Sequence, residues 1–220
     1  MEQLSRKPST VRRKINLISS TNFYSKVLEQ YRSIRTNFLS FTKGQDYRSL
    51  LISSPNSDEG KSTIAANFAI SLSQQGKKVL LIDADLRKPT LHLSFKTDNT
   101  FGLCDVLRGN ISLNDSISKT DISDLDLLSS GSIPFNSSEL LSSHEMSKLI
   151  ERAIEIYDVT IIDAPALLEV ADAKILAGQC DGSILVLKWG KTKSDEALEA
   201  KKSLESANAK VLGVILNEKD

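Results

Sequence analysis

The chain is poor in the residues that mark several specialised classes of protein. Its 220 residues include two cysteines and one tryptophan, and 28 basic side chains balance 28 acidic ones. Cys104 and Cys180 share neither a CxxC nor a metal-ligand spacing, so we expect buried free thiols in a reducing compartment. The basic residues form no stripe and the aromatic residues form no stacking platform, which argues against nucleic-acid binding.

Long apolar runs are also missing. No stretch approaches the roughly 18 apolar residues that cross a bilayer, and the N-terminus lacks the apolar part of a signal peptide. We therefore expect a cytoplasmic protein that reaches the membrane only through a partner. Segment 1–22 is locally basic, and it is read either as a solvated flexible tail or as a segment that lies against an anionic membrane or an acidic partner.

Residues 23–220 are predicted to form a single α/β domain. From Ser49 onward, short apolar runs alternate with helix-like segments, which is typical of a parallel β-sheet with helices on both faces. The predicted strands are Leu50–Ser53, Lys78–Asp83, Leu125–Leu128, Val159–Asp163, Ser183–Leu187 and Val211–Leu216. Helices are predicted after the first strand and over Ser194–Ala207, while residues 86–124 are assigned to loops and short helices. Ahead of the first strand, an apolar stripe predicts one more helix through Val27, Tyr31, Ile34, Phe38 and Phe41.

The first predicted strand runs into a candidate phosphate-binding loop. Residues 55–63 read PNSDEGKST, and a periodic helix begins directly afterward. The match to G-x-x-x-x-G-K-[ST] is complete at Gly60, Lys61 and Ser62, while Pro55 replaces the first glycine. Backbone N–H groups at a helix N-terminus bind phosphate, Lys61 supplies a positive charge and Ser62 is a Mg²⁺ ligand, so the loop predicts Mg·ATP binding. The predicted nucleotide-binding residues are Ser57, Asp58, Glu59, Gly60, Lys61, Ser62 and Thr63.

Carboxylates follow two of the other predicted strands. Asp83 and Asp85 close the run LLIDAD, with Arg87 two residues further, and Asp163 closes VTIID. The carboxyl ends of parallel strands share one edge of the sheet, where ligands bind. Oxygen ligands suit Mg²⁺, so Ser62, Asp83 and Asp163 form a candidate metal site, directly or through water.

Taken together, EGKST, LLIDADLRKP and VTIIDAP resemble the bacterial tyrosine kinases of capsule and exopolysaccharide synthesis, in the branch whose kinase is a separate cytoplasmic chain. The resemblance implies a P-loop NTPase-like fold and transfer of the γ-phosphoryl group of ATP to tyrosine. It assigns phosphate binding to Lys61, metal organisation to Asp83 and Asp163, and orientation or deprotonation of the tyrosine hydroxyl to Asp85. Arg87 would assist from the same loop, and Asn217, after the last strand, would contact adenine.

The same resemblance implies partners. The N-terminal helix carries Glu29, Arg32 and Arg35 in an E-x-x-R-x-x-R-x-N pattern, which in that family contacts the next subunit of a ring. It also implies a membrane-embedded polysaccharide co-polymerase as activator and protein tyrosines as substrates.

One feature leaves alternatives open. The family usually carries a tyrosine-rich tail, whereas the four tyrosines here, Tyr24, Tyr31, Tyr47 and Tyr157, are scattered and the given sequence stops at Asp220. Three explanations fit: the tail was removed, the protein phosphorylates other proteins, or it is an ATP-driven assembly switch of the MinD or ParA type. Asp85 and Arg87 favour a kinase, while the missing tail favours the switch.

Overall fold

The computed structural model of the protein describes residues 15–18 and 26–218. Seven strands in this part of the chain form a single sheet in the order β3-β4-β2-β5-β1-β6-β7. They are β1 (Ser49–Ser53), β2 (Val79–Asp83), β3 (Ser118–Lys119), β4 (Leu125–Leu128), β5 (Val159–Asp163), β6 (Gly182–Lys188) and β7 (Val211–Asn217). All neighbours are parallel except β3, which pairs antiparallel with β4. The prediction of a parallel sheet is confirmed for the six predicted strands. Strand β3 lies in segment 86–124, which was predicted to hold only loops and short helices, because its two polar residues carry no apolar pattern.

The helices cover both faces of the sheet, as predicted. They are α1 (Lys26–Phe41), α2 (Lys61–Ser73), α3 (Leu91–Phe95), α4 (Leu103–Leu107), α5 (Leu113–Ser116), α6 (Ser137–Leu141), α7 (His144–Ile156), α8 (Asp172–Ala177) and α9 (Ser194–Ser206). One apolar core joins the sheet to α1, α2 and α3, and a second joins it to α4 through α9. Residues along a strand alternate between the two cores: Leu80 and Ile82 of β2 face one, and Val79 and Leu81 face the other. The central strands are therefore apolar on both sides, which explains their continuous apolar runs.

Helix α1 packs on α2, but its buried face differs from the predicted stripe. Leu28, Tyr31 and Phe38 are buried, and the Phe38 ring meets Phe68 of α2 edge to face at 5.5 Å between ring centroids. The helix predicted from the stripe is confirmed, but two residues of the stripe, Val27 and Phe41, are 49% and 53% exposed. They lie at the margins of the stripe, and the contact with α2 covers only its centre.

Residues 15–18 lie against α2 and α3. The Ile15 N–H donates to Ser94 Oγ at 2.9 Å, and the Ile18 N–H donates to Asn67 Oδ1 at 2.7 Å. This part of the basic segment 1–22 is thus bound to the domain, and the rest of that segment lies outside the described residues. None of the helices within residues 15–18 and 26–218 has the length and hydropathy that a bilayer-spanning helix requires.

Candidate active site

The phosphate-binding loop connects β1 to α2 and is shaped by the end of β7. Gly60 has φ +92°, and a Cβ there would lie 2.1 Å from Asn217 Nδ2. The Asn217 amide donates to the Glu59 carbonyl at 2.9 Å. Only glycine fits this left-handed, crowded position. The structure therefore brings Asn217, predicted from the far end of the chain, into contact with the loop.

The first part of the phosphate-binding loop is held by Glu169, a residue for which the sequence predicted no role. Ser57 donates its backbone N–H to Glu169 Oε1 and its hydroxyl to Glu169 Oε2, each at 2.7 Å. On the other side, Lys191 Nζ donates to the Ser57 carbonyl at 2.8 Å, and Lys188 Nζ donates to the Asp58 carbonyl at 3.3 Å. The Ser57 hydroxyl and its N–H hold the pKa of Glu169 below its ordinary value, against the smaller opposing effect of burial. Glu169 is separated from Ser57 by 112 positions, so no local sequence pattern predicts the contact.

Glu59 is a structural residue of the loop. Its side chain is fully buried, and it accepts hydrogen bonds from the Thr192 hydroxyl and from the Asn56 N–H at 3.2 Å. Asn56 in turn donates its amide to Glu196 at 3.0 Å. The Glu59 side chain is thus bonded within the domain, and nucleotide binding stays a prediction for its backbone N–H alone.

The first turn of α2 presents the predicted phosphate and metal ligands, Lys61, Ser62 and Thr63. Lys61 Nζ lies 2.7 Å from Asp85 Oδ2 and 3.3 Å from Ser62 Oγ. Burial opposes the charge of Lys61, but Asp163, Asp85 and Asp83 more than offset that effect and raise its pKa above the ordinary value. Lys61 is therefore a permanent cation. Asp85 Oδ1 accepts from the Lys88 N–H at 3.0 Å, so one carboxylate oxygen is held by the loop after β2 and the other by Lys61 of α2.

Asp83 and Asp163 are direct neighbours at the carboxyl ends of β2 and β5. Both are fully buried; Asp83 Oδ2 accepts from the Thr90 and Leu91 N–H groups at 3.0 Å, while Asp83 Oδ1 and both Asp163 oxygens have no hydrogen-bond donor. Burial raises the pKa of both carboxyls, and their proximity raises that of Asp83 further.

Buried carboxylate oxygens that lack a hydrogen-bond donor fit the oxygen ligands that Mg²⁺ prefers, and the Ser62 hydroxyl supplies one more such oxygen. Among the described residues no group of three or more His, Cys, Asp and Glu side chains is placed to hold a metal. The candidate site is therefore the mixed set of one hydroxyl and two carboxylates, which keeps room for waters and phosphate oxygens.

Arg87 does not point to the phosphate-binding loop. Its Nε and Nη2 donate to the two oxygens of Asp172 at 3.0 and 3.4 Å. The fully buried Asp172 also accepts from the hydroxyls of Ser137 and Ser138. Burial acts against this carboxylate, but the three donors together lower its pKa below the ordinary value. Arg87 thus connects the loop after β2 to α8, and through Asp172 to α6, a contact that the sequence did not predict.

The residues predicted for subunit contact separate into two environments. Glu29 and Arg32 form an exposed ion pair on α1. Arg35 instead donates to the Ser71 carbonyl of α2 at 2.7 Å within the same chain. Its guanidinium therefore fastens α1 to the domain.

Comparison with known proteins agrees with this geometry. A family model described as an AAA domain matches residues 52–189. Tyrosine-protein kinase YwqD of Bacillus subtilis is 47% identical over 204 residues, which are 93% of this chain and 86% of the relative.

Solved structures of a tyrosine kinase and of a MinD protein match this chain to different extents. The kinase domain of Escherichia coli tyrosine kinase ETK has a TM-score of 0.89 and 31% identity, and the match covers 96% of this chain and 82% of that one. The septum site-determining protein MinD from Pyrococcus horikoshii, solved with Mg-ADP, has a TM-score of 0.68 and 28% identity, with 77% and 70% covered. The fold is thus that of P-loop NTPases, with the better match on the kinase side. By sequence and by structure, the chain belongs to the bacterial tyrosine-protein kinases.

Proposed function

We propose that this protein transfers the γ-phosphoryl group of Mg·ATP to tyrosine hydroxyls of protein substrates and thereby regulates capsular or exopolysaccharide synthesis and export. The observation that carries the proposal is the position of Asp85, which is 7% exposed and lies 2.7 Å from the phosphate-loop lysine. A carboxylate beside the phosphate-loop lysine is placed to accept a proton from a tyrosine hydroxyl next to the γ-phosphate. A nucleotide switch has no second substrate and does not need such a group.

Each residue has a role in this mechanism. The N–H groups from Asp58 to Ser62 surround the phosphates, and Lys61 exchanges Asp85 for the β and γ phosphate oxygens. Ser62, Asp83 and Asp163 hold Mg²⁺, which neutralises charge on the transferring group when it is bound. Asp85, freed from Lys61, accepts or orients the tyrosine proton. Positioning and charge neutralisation then supply most of the rate, because phosphoryl transfer requires little covalent work from the protein.

The acceptor tyrosine comes from outside the described domain. Tyr31, Tyr47 and Tyr157 are at most 9% exposed, and Tyr24 lies outside the described residues. A buried phenol cannot enter the active site of its own chain or of a neighbour without unfolding. The substrate is therefore another protein or a segment beyond these residues.

Partners follow from the same proposal. The exposed Glu29 and Arg32 pair on α1 is free to contact the nucleotide site of a second copy, while Arg35 holds the helix in place for that contact. A ring of copies would be recruited to the inner face of the membrane by a polysaccharide co-polymerase subunit, which acts as activator. Light scattering of the wild type and of Glu29→Ala with Arg32→Ala tests the assembly, which the double variant should weaken.

The assembly-switch alternative is not favoured. The MinD match is lower in TM-score and covers less of the chain than the ETK kinase domain. Asn56 and Ser57 also stand where relatives of the switch type carry a lysine early in the phosphate loop, and here both side chains are bound to glutamates of the same chain.

The test is incubation with γ-labelled ATP, Mg²⁺, the cytoplasmic segment of the activator and a tyrosine-tailed homologue as acceptor. We expect phosphotyrosine on the acceptor with the wild type and with Asp121→Asn, an exposed carboxylate away from the site. Asp85→Asn should lose it. Phosphotyrosine formed equally by Asp85→Asn would overturn the assigned role, and its absence with every protein would overturn the kinase proposal.

A further inference from the structure

The edge of the sheet that bears the carboxylates also contains, on the other side of β1, an exposed aromatic residue whose role the mechanism leaves open. Trp189 follows β6 directly, is 63% exposed, and is the single tryptophan of the chain. An indole of that size left in water loses the burial that usually keeps it in a protein core. Its position relative to the phosphate-binding loop points to a ligand.

The sheet order fixes the direction in which a nucleotide lies. Strands β2 and β5, which bear Asp83 and Asp163, are on one side of β1, and β6 and β7 are on the other. Lys61 turns toward the carboxylates, so the γ-phosphate end of a triphosphate lies on that side. The nucleoside must then leave the loop past Gly60, over the ends of β6 and β7.

Trp189 lies on that path. Its backbone N–H donates to the Asn217 carbonyl at 2.9 Å, and the Asn217 side chain crowds Gly60. Its chain neighbours Lys188, the last residue of β6, and Lys191 donate to the carbonyls of Asp58 and Ser57. The backbone of Trp189 is therefore bonded to the end of β7, and the residues on either side of it are bonded to the phosphate-binding loop.

We propose that the Trp189 indole stacks on the nucleobase of the bound nucleotide. The inference rests on the proposed function and adds to it a residue for the base. An exposed indole offers a flat apolar face to a purine while its edge remains in water, and such stacking tolerates any base. Selection of adenine then falls to hydrogen bonding, for which Asn217 is placed beside the same strand end.

The single tryptophan makes the test direct. Intrinsic fluorescence of the full chain is titrated with Mg·ADP and, separately, with Mg·tripolyphosphate, which has the phosphates and no base. We expect a large change in emission with ADP and a change several times smaller with tripolyphosphate. Equal changes with the two ligands would overturn the stacking.

Variants give a second readout. Binding of both ligands is measured by calorimetry for Trp189→Leu, for Trp189→Phe, and for Phe101→Leu, a control residue that is 54% exposed after α3. Trp189→Leu should raise the Kd for ADP about fivefold or more and leave that for tripolyphosphate unchanged, because stacking involves only the base. Trp189→Phe should restore most of the affinity, and Phe101→Leu should match the wild type.

Two results would contradict the inference while the kinase proposal stands. One is an ADP affinity of Trp189→Leu within twofold of the wild type. The other is an equal loss of ADP and tripolyphosphate binding, which would mean that the substitution disturbs the phosphate-binding loop. A wild-type protein that binds no nucleotide at all would overturn both proposals.

Discussion

Lys61 Nζ and Asp85 Oδ2 lie 2.7 Å apart at the start of α2, with both side chains almost buried. The lysine that we propose for phosphate binding is thus paired with the carboxylate that we propose for the tyrosine substrate. Binding of a nucleotide has to break this pair, which gives the pair a measurable effect on affinity.

Asp85→Asn should bind Mg·ATP at least as tightly as the wild type, by up to about tenfold. The neutral amide holds Lys61 less strongly than a carboxylate does, since charge-assisted hydrogen bonds are about twice as strong as neutral ones. Calorimetry on the purified variant measures this, with Asp121→Asn as control. A marked loss of affinity would show that Asp85 itself supports nucleotide binding.

Glu169→Ala should weaken Mg·ATP binding about three- to tenfold, the loss expected for one or two hydrogen bonds that order a loop. Removal of a negative charge near the phosphates acts in the opposite direction, but Glu169 is exposed and that repulsion is screened by salt. The matched control is Glu145→Ala, an exposed glutamate that pairs with Lys148 on α7. An unchanged or increased affinity would show that the Ser57 contact does not order the loop.

Asp172→Asn should lower the free energy of unfolding by about 1 to 3 kcal/mol, because the amide leaves some of the donors of Arg87, Ser137 and Ser138 without an acceptor in a buried place. Denaturant unfolding of the chain measures it. Glu29→Gln removes an exposed ion pair and should cost less than about 0.5 kcal/mol. If the two substitutions lowered the free energy of unfolding by the same amount, the stabilising role assigned to Asp172 would be wrong.

Asp163→Asn should stabilise the metal-free protein at neutral pH and not at acid pH. The pKa of Asp163 is raised to about 6 by burial, against the opposing effect of the Lys61 charge, so the folded state holds the proton more tightly than the unfolded chain. The contribution of Asp163 to the stability of the wild type therefore falls as the pH rises from about 4, the ordinary carboxyl pKa, to about 6, and then levels off.

The variant lacks this loss, so its advantage should grow across the same interval to about 3 kcal/mol at most. The measurement is unfolding at pH 4.5 and at pH 8 in the presence of a chelator. Adding Mg·ADP at pH 8 should make the wild type more stable than Asp163→Asn, because the wild-type carboxylate then has a cation to bind. A difference that does not depend on pH would refute the assignment.

The sequence predicted well both the central strands and the meeting of their carboxyl ends at one edge of the sheet. Central strands buried on both faces show as unbroken apolar runs, and parallel strands bring their carboxyl ends together, so Asp83 and Asp163 were expected to meet and do. Strand β3 was not predicted, because two polar residues at the edge of a sheet show no apolar pattern.

The connections of the site to the rest of the domain were not predictable in the same way. Glu169 reaches Ser57 across 112 positions, and Asp172 reaches Arg87 across 85. Such contacts depend on tertiary packing and leave no local signal. Arg35 shows the same effect, since the family resemblance implied a subunit contact while its guanidinium binds the Ser71 carbonyl of its own chain.

The most direct test of the central claim is the ratio of phosphotyrosine formed on the tyrosine-tailed acceptor to phosphate released to water, measured together in the presence of Mg·ATP and the activator segment. The account predicts that transfer to tyrosine exceeds release to water for the wild type, and that Asp85→Asn loses transfer while it still binds nucleotide. Phosphate release without phosphotyrosine, unchanged in Asp85→Asn, would contradict it and identify the protein as an ATPase switch.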